Sequence, residues 1–321
     1  MKDCIARKGI LMVILFLLAG CTSPADEPAT PAGELDADQT SIELFAFYSD
    51  RDGNPEIYVL NANDGEVIRL TNDPAFDDSP ALSPDGSRIV FLSARHDPSP
   101  AFPDLKYEIY VMNVDGSGLK RLTETEEAED HPAWSPDGSR IVFDADYDLD
   151  GYYEIYTMDG DGSNLTRLTF DQANDQFADW SPDGEKIAYS SYRNGNWDIY
   201  VMDADGSNPR QLTNSPDWEL FPAWSPDGSR IAFNGLRPGS GNTDIYVMNR
   251  DGSDVLQLTD LPGFDENPVW STNGSRIAFQ TARNGNFEIY VMNVDGSDQH
   301  PLAAHAADEL WPSWRQIEIP E

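Results

Sequence analysis

One short phrase, an acidic residue followed by Ile-Tyr, returns six times along the chain and constrains its fold more than any other feature. An internal repeat of this length predicts stacked supersecondary units. Residues that recur in every copy are therefore candidates for architecture, and departures from the repeat are candidates for function. The tyrosines are 44 to 52 residues apart, and the copies are Glu56-Ile57-Tyr58, Glu108-Ile109-Tyr110, Glu154-Ile155-Tyr156, Asp198-Ile199-Tyr200, Asp244-Ile245-Tyr246 and Glu288-Ile289-Tyr290.

The unit from Phe221 to Thr259 predicts four short strands separated by turns. Proline at the first turn position and glycine at a position of positive φ favour a tight turn between the first two strands. The middle strands are apolar at consecutive positions, which indicates a sheet covered on both faces. Four such strands in about 45 residues describe a β-propeller blade. The expected strands are Phe221–Trp224, Ile231–Phe233, Ile245–Met248 and Val255–Leu258, and the turns are Ser225-Pro226-Asp227-Gly228 and Asp251-Gly252.

The two ends of the repeat array fix the number of blades. The Ser-Pro-Asp-Gly turn occurs four times and decays to Ser271-Thr272-Asn273-Gly274 in a fifth copy. The pattern of Trp-Ser-Pro-Asp-Gly, Ile-Ala-Phe and Glu-Ile-Tyr resembles the TolB-type β-propeller repeat over about residues 42–315. Phe45-Ala46-Phe47 lacks a preceding Trp strand, and Trp311-Pro312-Ser313-Trp314 lacks a following Ile-Ala-Phe strand. We therefore predict an all-β, six-bladed propeller of four-stranded antiparallel blades over residues 42–318, closed by the C-terminal strand joining the N-terminal blade.

The first 20 residues are predicted to be a lipoprotein signal peptide. Lys2, Arg7 and Lys8 precede the apolar run Ile10–Ala19, which has the length of a signal core and is too short to span a membrane. Leu18-Ala19-Gly20-Cys21 resembles the bacterial lipobox, and this resemblance implies that Cys21 becomes an acylated N-terminus. The alternative is an ordinary secretory signal with an incidental cysteine.

Residues 21–41 are predicted to form a lipidated, disordered tether. The segment is rich in Ala, Pro, Asp, Glu, Thr and Gly, and so buries too little apolar surface to offset its ordering entropy. With Cys4 removed and Cys21 acylated, the propeller would hold no thiol. We expect an extracytoplasmic protein, anchored by acyl chains to a bacterial membrane.

The charge of the chain excludes one class of partner. The formal net charge is −36, from 21 basic and 57 acidic residues. Nucleic-acid binding needs a basic footprint, and none is present. Solubility, bound cations and basic partners are the remaining interpretations of this acidity.

One acid lies five residues before each strand-end Trp, or before Leu82 in the second blade. The first strand of a propeller blade lines the central channel, so these six acids could form a ring of carboxylates that raise one another's pKa and attract cations. The alternative is that each acid caps the turn into its own strand. The six residues are Asp77, Glu129, Asp175, Glu219, Asp265 and Glu309.

The third unit contains an aspartate-rich segment that the other units lack. Its spacing, with acids at positions 1, 3, 5 and 9 around a glycine at position 6, resembles known calcium loops. Calcium prefers six to eight oxygen ligands, so the sequence predicts a possible Ca²⁺ site; a merely acidic hairpin is the alternative. The expected ligands are Asp146, Asp148, Asp150, Glu154 and the backbone carbonyl of Tyr152.

Other repeated residues are predicted to be structural. The acid before Ile-Tyr suits a strand-entry hydrogen bond or a pair with the basic residue after each tight turn (Arg88, Arg140, Lys186, Arg230 or Arg276). Two longer loops, Arg95–Lys106 and Leu236–Asn242, could carry a binding surface or be neutral insertions. The recurring tryptophans, assigned to packing, are Trp134, Trp180, Trp224, Trp270 and Trp314.

The sequence favours a binding protein over an enzyme. It contains no nucleophile elbow, no His-Glu-x-x-His and no glycine-rich phosphate loop. We expect a monomeric scaffold that binds an envelope protein, a peptide or another ligand and takes no cofactor apart from possible calcium. The alternative is a polysaccharide lyase or a hydrolase with its site in the central channel. His131 and His305, each close to one of the six acids, are the residues that would discriminate between these readings.

Overall fold

A computed structural model describes residues 41–97, 106–125, 127–236, 241–302 and 305–318. In these residues, no helix combines the length and apolar character that crossing a bilayer requires. The strands of the first half are β1 (Ser41–Ser49), β2 (Glu56–Asn61), β3 (Glu66–Arg69), β4 (Asp77–Leu82), β5 (Arg88–Ser93), β6 (Glu108–Asn113), β7 (Lys120–Arg121), β8 (Glu129–Trp134), β9 (Arg140–Ala145), β10 (Glu154–Asp159), β11 (Thr166–Arg167) and β12 (Asp175–Trp180).

The second half continues the same rhythm of three longer strands and one short one. Its strands are β13 (Lys186–Ser191), β14 (Asp198–Asp203), β15 (Arg210–Gln211), β16 (Trp218–Trp224), β17 (Arg230–Leu236), β18 (Thr243–Asn249), β19 (Leu256–Gln257), β20 (Asp265–Trp270), β21 (Arg276–Thr281), β22 (Glu288–Asn293), β23 (His300–Pro301) and β24 (Glu309–Glu318).

These strands form six four-stranded antiparallel sheets, which confirms the predicted six-bladed propeller. The sheet orders are β24-β1-β2-β3, β4-β5-β6-β7, β8-β9-β10-β11, β12-β13-β14-β15, β16-β17-β18-β19 and β20-β21-β22-β23. We number the blades in that order, so that the C-terminal strand belongs to the first blade.

Pairing between β1 and β24 closes the ring, as predicted. The register joins Phe45 to Trp314 and Ser49 to Glu309, and the Phe45 and Trp314 rings stack at 4.5 Å. Both aromatic side chains are fully buried. The closure therefore removes two open sheet edges and adds apolar burial at the same place.

The tight turn after each first strand has the geometry expected from its sequence. In the second blade, Gly86 has φ +66° and donates its N–H to the Ser83 carbonyl at 2.8 Å. The decayed copy keeps the same geometry, because Asn273 Oδ1 takes the place of the aspartate oxygen and accepts from the Ser271 hydroxyl at 2.9 Å. Gly274, with φ +69°, completes that turn.

The core lies between neighbouring blades, which explains why the middle strands are apolar on both faces. One cluster packs Val90, Leu92 and Ile109 of the second blade against Trp134 and Phe143 of the third. The recurring tryptophans are all buried, as expected for packing residues.

The basic residues after the tight turns do not all have the partners we expected. Arg88 lies over the Trp134 ring at 4.4 Å, and Arg140 lies over Trp180 at 4.4 Å. In the first three blades, the acid before Ile-Tyr is instead bonded to an arginine of the fourth strand; in the second blade, Arg121 donates to Glu108 at 2.5 Å. Placing the guanidinium on the next blade's indole couples the blades through a cation–π contact.

Candidate functional site

The six acids expected to ring the channel are buried within their own blades. None is more than 6% exposed, and none lines the central cavity described below. Arg95 donates two hydrogen bonds to Asp77 at 2.8 and 3.0 Å from the hairpin between the second and third strands of the same blade. The same latch recurs in three other blades, as Arg51 with Glu309, Arg193 with Asp175 and Arg283 with Asp265.

The third blade replaces the arginine of this latch with a tyrosine. Glu129 accepts from the Tyr147 hydroxyl at 2.7 Å and from the hydroxyls of Thr123 and Thr125 at 2.9 and 2.6 Å. Burial raises the pKa of Glu129 to about 7, only partly opposed by these hydrogen bonds. In the fifth blade, the hydroxyls of Thr213 and Ser215 stabilise the Glu219 carboxylate, whose pKa is likewise raised by burial.

The expectation of an open carboxylate ring is corrected by this arrangement. The acids share one end of the first strands, but their side chains turn into the blade. An arginine or tyrosine of the hairpin binds five of them, and hydroxyls of the preceding connection bind Glu219. The pKa of Glu309 is raised to about 7 and that of Asp175 to about 6, in both cases chiefly by burial rather than by a neighbouring member of the set. In five blades these acids latch the first strand to the hairpin.

A different set of six residues surrounds the channel axis. Each lies two positions after the buried acid, at a β-bulge where the register of the first strand shifts. Every one of them has a left-handed backbone, with φ between 48° and 59°. We call this set the collar; it consists of Ser79, His131, Phe177, Phe221, Asn267 and Trp311.

Four collar side chains form an aromatic cluster at the axis. Phe177 and Phe221 have ring centroids 4.0 Å apart, and His131 lies 4.3 Å from Phe177 and 5.0 Å from Trp311. A left-handed backbone is unfavourable for bulky residues, so six such positions indicate that the blade geometry imposes the bulge. The bulge re-aims one side chain per blade toward the axis.

The collar forms the floor of a funnel of about 390 Å³ that opens on the face carrying the tight turns. Prolines and the inter-blade tryptophans supply most of its wall, including Pro136, Pro182 and Trp224. Besides His131, Asp179 and Arg315 are the ionisable residues lining it, and the backbone N–H of Trp224 donates to Asp179 Oδ2 at 2.8 Å. A concave, largely apolar surface with few polar groups is typical of a binding site.

Polar groups gather directly beside His131. Its Nδ1 lies 3.0 and 3.2 Å from the two carboxylate oxygens of the fully buried Asp144. Asp144 also accepts from Gln176 Nε2 at 3.1 Å and from the Phe177 N–H at 3.2 Å. Although burial opposes the charged imidazole, the Asp144 and Asp130 charges raise the pKa of His131 overall.

Asp130, His131 and Asp144 offer ligand atoms within 4.8 Å of one another, so their fit to a metal can be judged. Both Asp144 oxygens already accept hydrogen bonds, and His131 Nδ1 is occupied by the same carboxylate. A metal there would have to displace this network. The cluster is better explained as the polar bond that orients His131 in the collar.

The aspartate-rich hairpin of the third blade brings three of its five predicted calcium ligands together. One oxygen each from Asp146, Asp148 and Glu154 lies within 4.8 Å of the others. Asp146 Oδ1 and Glu154 Oε2 are buried and have no hydrogen-bond partner among the described residues. Asp150 lies outside this group, because its Oδ1 accepts from the Tyr152 N–H at 3.0 Å.

One further predicted position, His305, does not line the funnel. His305 is exposed, and its Nδ1 accepts from the Ala307 N–H at 3.0 Å. Cys21, the signal segment and residues 21–40 of the tether lie outside the described residues, as do 98–105 and 237–240 of the two longer loops. Sequence reasoning missed the collar, although one signal was available: the residue at this position varies among the repeats, while the acid two positions earlier and, in five copies, the proline after it recur.

Fold and site together define a class of protein: a closed six-bladed propeller whose axial funnel is built from once-per-blade residues. The chain matches the TolB beta propeller domain over residues 103–215 and 179–317, and it belongs to that family. The predicted resemblance is therefore confirmed.

Similarity to characterised proteins is local in sequence and broad in structure. The chain is 35% identical over 104 residues to a TolB homolog of Chlorobaculum tepidum, covering 32% of this chain and 22% of that protein. It is 44% identical over 68 residues to dipeptidyl-peptidase 5 of Porphyromonas gingivalis, covering 20% of this chain and 9% of the peptidase. The matches thus span one third or less of the lengths of these curated relatives.

Among solved structures, TolB from Acinetobacter baumannii superposes with a TM-score of 0.71 at 23% identity, covering 84% of this chain and 66% of that one. An oligogalacturonate lyase in complex with manganese superposes with a TM-score of 0.57 at 18% identity, covering 82% and 74%. At these identities the likeness establishes a shared fold.

Proposed function

We propose that the chain is a lipid-anchored, extracytoplasmic binding protein of the bacterial envelope, whose funnel receives a protein or peptide partner. The funnel carries this proposal, because its aromatic floor and proline-rich wall form a rigid, preorganised apolar surface on an otherwise very acidic molecule. Membership of the TolB family supports an envelope role, since one matched relative is described as a Tol-Pal system protein.

Site-specific photocrosslinking in the native cells tests the partner. A photoreactive phenylalanine analogue in place of Phe221, at the funnel floor, is expected to capture one envelope protein. The same analogue in place of Phe170, which is 73% exposed and does not line the funnel, is the matched control. Equal capture at both positions, or none at Phe221, would contradict the proposal.

The anchor is tested by fractionation. Acylation at Cys21 predicts that Cys21→Ser moves the protein from the membrane to the soluble fraction and abolishes labelling by a palmitate analogue, because one or more acyl chains provide the membrane affinity. Cys4→Ser, inside the predicted signal peptide, should leave both readouts unchanged. Membrane retention of the Cys21 variant would contradict the lipid anchor and leave the funnel proposal standing.

A second candidate, a lyase or hydrolase acting in the channel, has one observation in its favour: His131 lies at the axis beside the buried Asp144 and Asp130. One structural neighbour is an oligogalacturonate lyase. Incubation with acidic oligosaccharides, with and without His131→Gln, distinguishes the two candidates. A product that depends on His131 would favour catalysis, whereas the binding proposal expects no turnover from either protein.

A further inference from the structure

The hairpin of the third blade differs from its counterparts in its concentration of acidic residues. Asp146, Asp148, Asp150 and Glu154 place four acids around one basic residue, Arg167. Arg167 donates to Asp148 at 2.6 Å and to Glu154 Oε1, so it neutralises only part of this charge. With every carboxyl counted as ionised, the formal charge of these four acids and Arg167 is −3.

The hydrogen bonds leave two carboxylate oxygens of this hairpin without a partner among the described residues. Glu154 is fully buried, and its Oε2 has no partner among the described residues. Asp146 uses Oδ2 to accept the Gly151 N–H at 3.0 Å and leaves Oδ1 buried without a partner. Buried oxygens without partners are costly, and a bound cation would satisfy both of them.

We propose that Asp146, Asp148 and Glu154 bind a calcium ion in this hairpin. Three carboxylate oxygens within 4.8 Å of one another suit a hard cation, and backbone carbonyls and water can complete the six to eight ligands that calcium takes. Magnesium demands a stricter octahedron of short bonds, which favours calcium for this irregular set. The proposal is independent of what binds the funnel.

The first blade provides an internal control. Arg69 binds Glu56 at 2.7 Å and Asp52 at 3.3 Å, which reproduces the arginine bridge of the third blade. However, Glu56 has a full set of partners, with Oε2 accepting from Thr71 Oγ1 at 2.6 Å. Asp50, the counterpart of Asp146, accepts the Asp308 N–H at 3.2 Å and forms no close carboxylate group with Asp52 and Glu56 among the described residues. Glu108 Oε2 of the second blade is also unpartnered, but among the described residues no three acids of that blade bring their oxygens within 4.8 Å of one another.

Titration calorimetry of the full chain with calcium chloride tests the site. One saturable event is expected, with a dissociation constant on the order of 0.1–1 mM, as in extracellular calcium modules. Asp146→Asn should weaken binding at least about 10-fold, because it removes a charged ligand while its amide oxygen can still accept the Gly151 N–H. The matched control Asp52→Asn should change the constant by less than about 2-fold.

A melting experiment in calcium and in magnesium chloride accompanies the titration. Calcium should raise the melting temperature of the unmodified chain and of Asp52→Asn, magnesium should raise it less, and neither should shift Asp146→Asn. Circular dichroism establishes that each variant is folded before it is compared. Absence of saturable calcium binding up to about 10 mM, or equal weakening by Asp52→Asn and Asp146→Asn, would overturn the proposal.

Discussion

Two sets of residues occur once per blade, and they differ in what repeats. The buried acids repeat their chemistry: each is Asp or Glu, and four are held by an arginine from the hairpin of the same blade. In the collar, only the backbone conformation is shared, with φ near 50–60° at every position, while the side chains range from Ser79 to Trp311. Within one chain, constant chemistry thus accompanies architecture, and constant geometry with varied chemistry marks the candidate binding surface.

The largest expected effect comes from breaking one acid latch. Arg95→Met leaves the fully buried Asp77 without its charged partner, which should lower the free energy of unfolding by about 3 kcal/mol. Arg140→Met, which loses a cation–π contact with Trp180, should cost about 1 kcal/mol or less. Urea unfolding of both variants checks this; equal losses would show that the latch has no special structural role.

The tyrosine latch predicts an unusual dependence on pH. Burial raises the pKa of Glu129 from 4.5 to about 7 in the folded state, so the folded protein holds this proton more tightly than the unfolded chain does. Glu129 therefore contributes most to the free energy of unfolding below pH 4.5. This contribution is lost as the pH rises toward 7, by up to about 1.4 kcal/mol per pH unit.

Glu129→Gln should flatten this fall, because the amide oxygen can still accept from Tyr147 and Thr125 without an ionisation. Urea unfolding at pH 5, 6, 7 and 8 measures the slope. Glu219→Gln is a second test of the same effect: burial also raises the pKa of Glu219, so the two substitutions together should flatten the curve more than either alone. An unchanged slope in Glu129→Gln would mean that Glu129 does not titrate in this range.

The collar should respond in the opposite way to the latches, with a small loss of stability and a large loss of binding. Phe177→Asn removes contacts with Phe221 and His131, but asparagine tolerates a left-handed backbone, so the net cost should be about 1 kcal/mol. Partner affinity should fall at least about 10-fold if Phe177 is an anchor of the interface. Wild-type affinity in this variant would remove the collar from the binding surface.

Much of the propeller could be predicted because its signals are local and repeated. Turns such as Ser83–Gly86 can be predicted because their proline and glycine favour the φ angles that the turn needs. The unmatched ends at Phe45 and Trp314 specify ring closure. The collar could not be predicted this way: nothing about Phe177 or Trp311 indicates positive φ, which the register shift of the whole strand imposes. The six acids were expected at the channel axis but lie inside the blades. A sequence position specifies where a strand ends but not whether its carboxylate faces the axis or the hairpin.

Divergence from the repeat is not by itself evidence of function, and the decayed fifth turn shows why. Thr272 replaces the usual proline, and its Oγ1 accepts the Gln316 N–H of the closing strand β24 at 2.9 Å. Thr272→Pro would gain about 0.5 kcal/mol by restricting the unfolded chain but lose a hydrogen bond of about 1 kcal/mol. The net change in unfolding free energy should therefore be a loss of only about 0.5 kcal/mol, measured by urea unfolding, and a gain instead would show that the bond to Gln316 does not explain the departure.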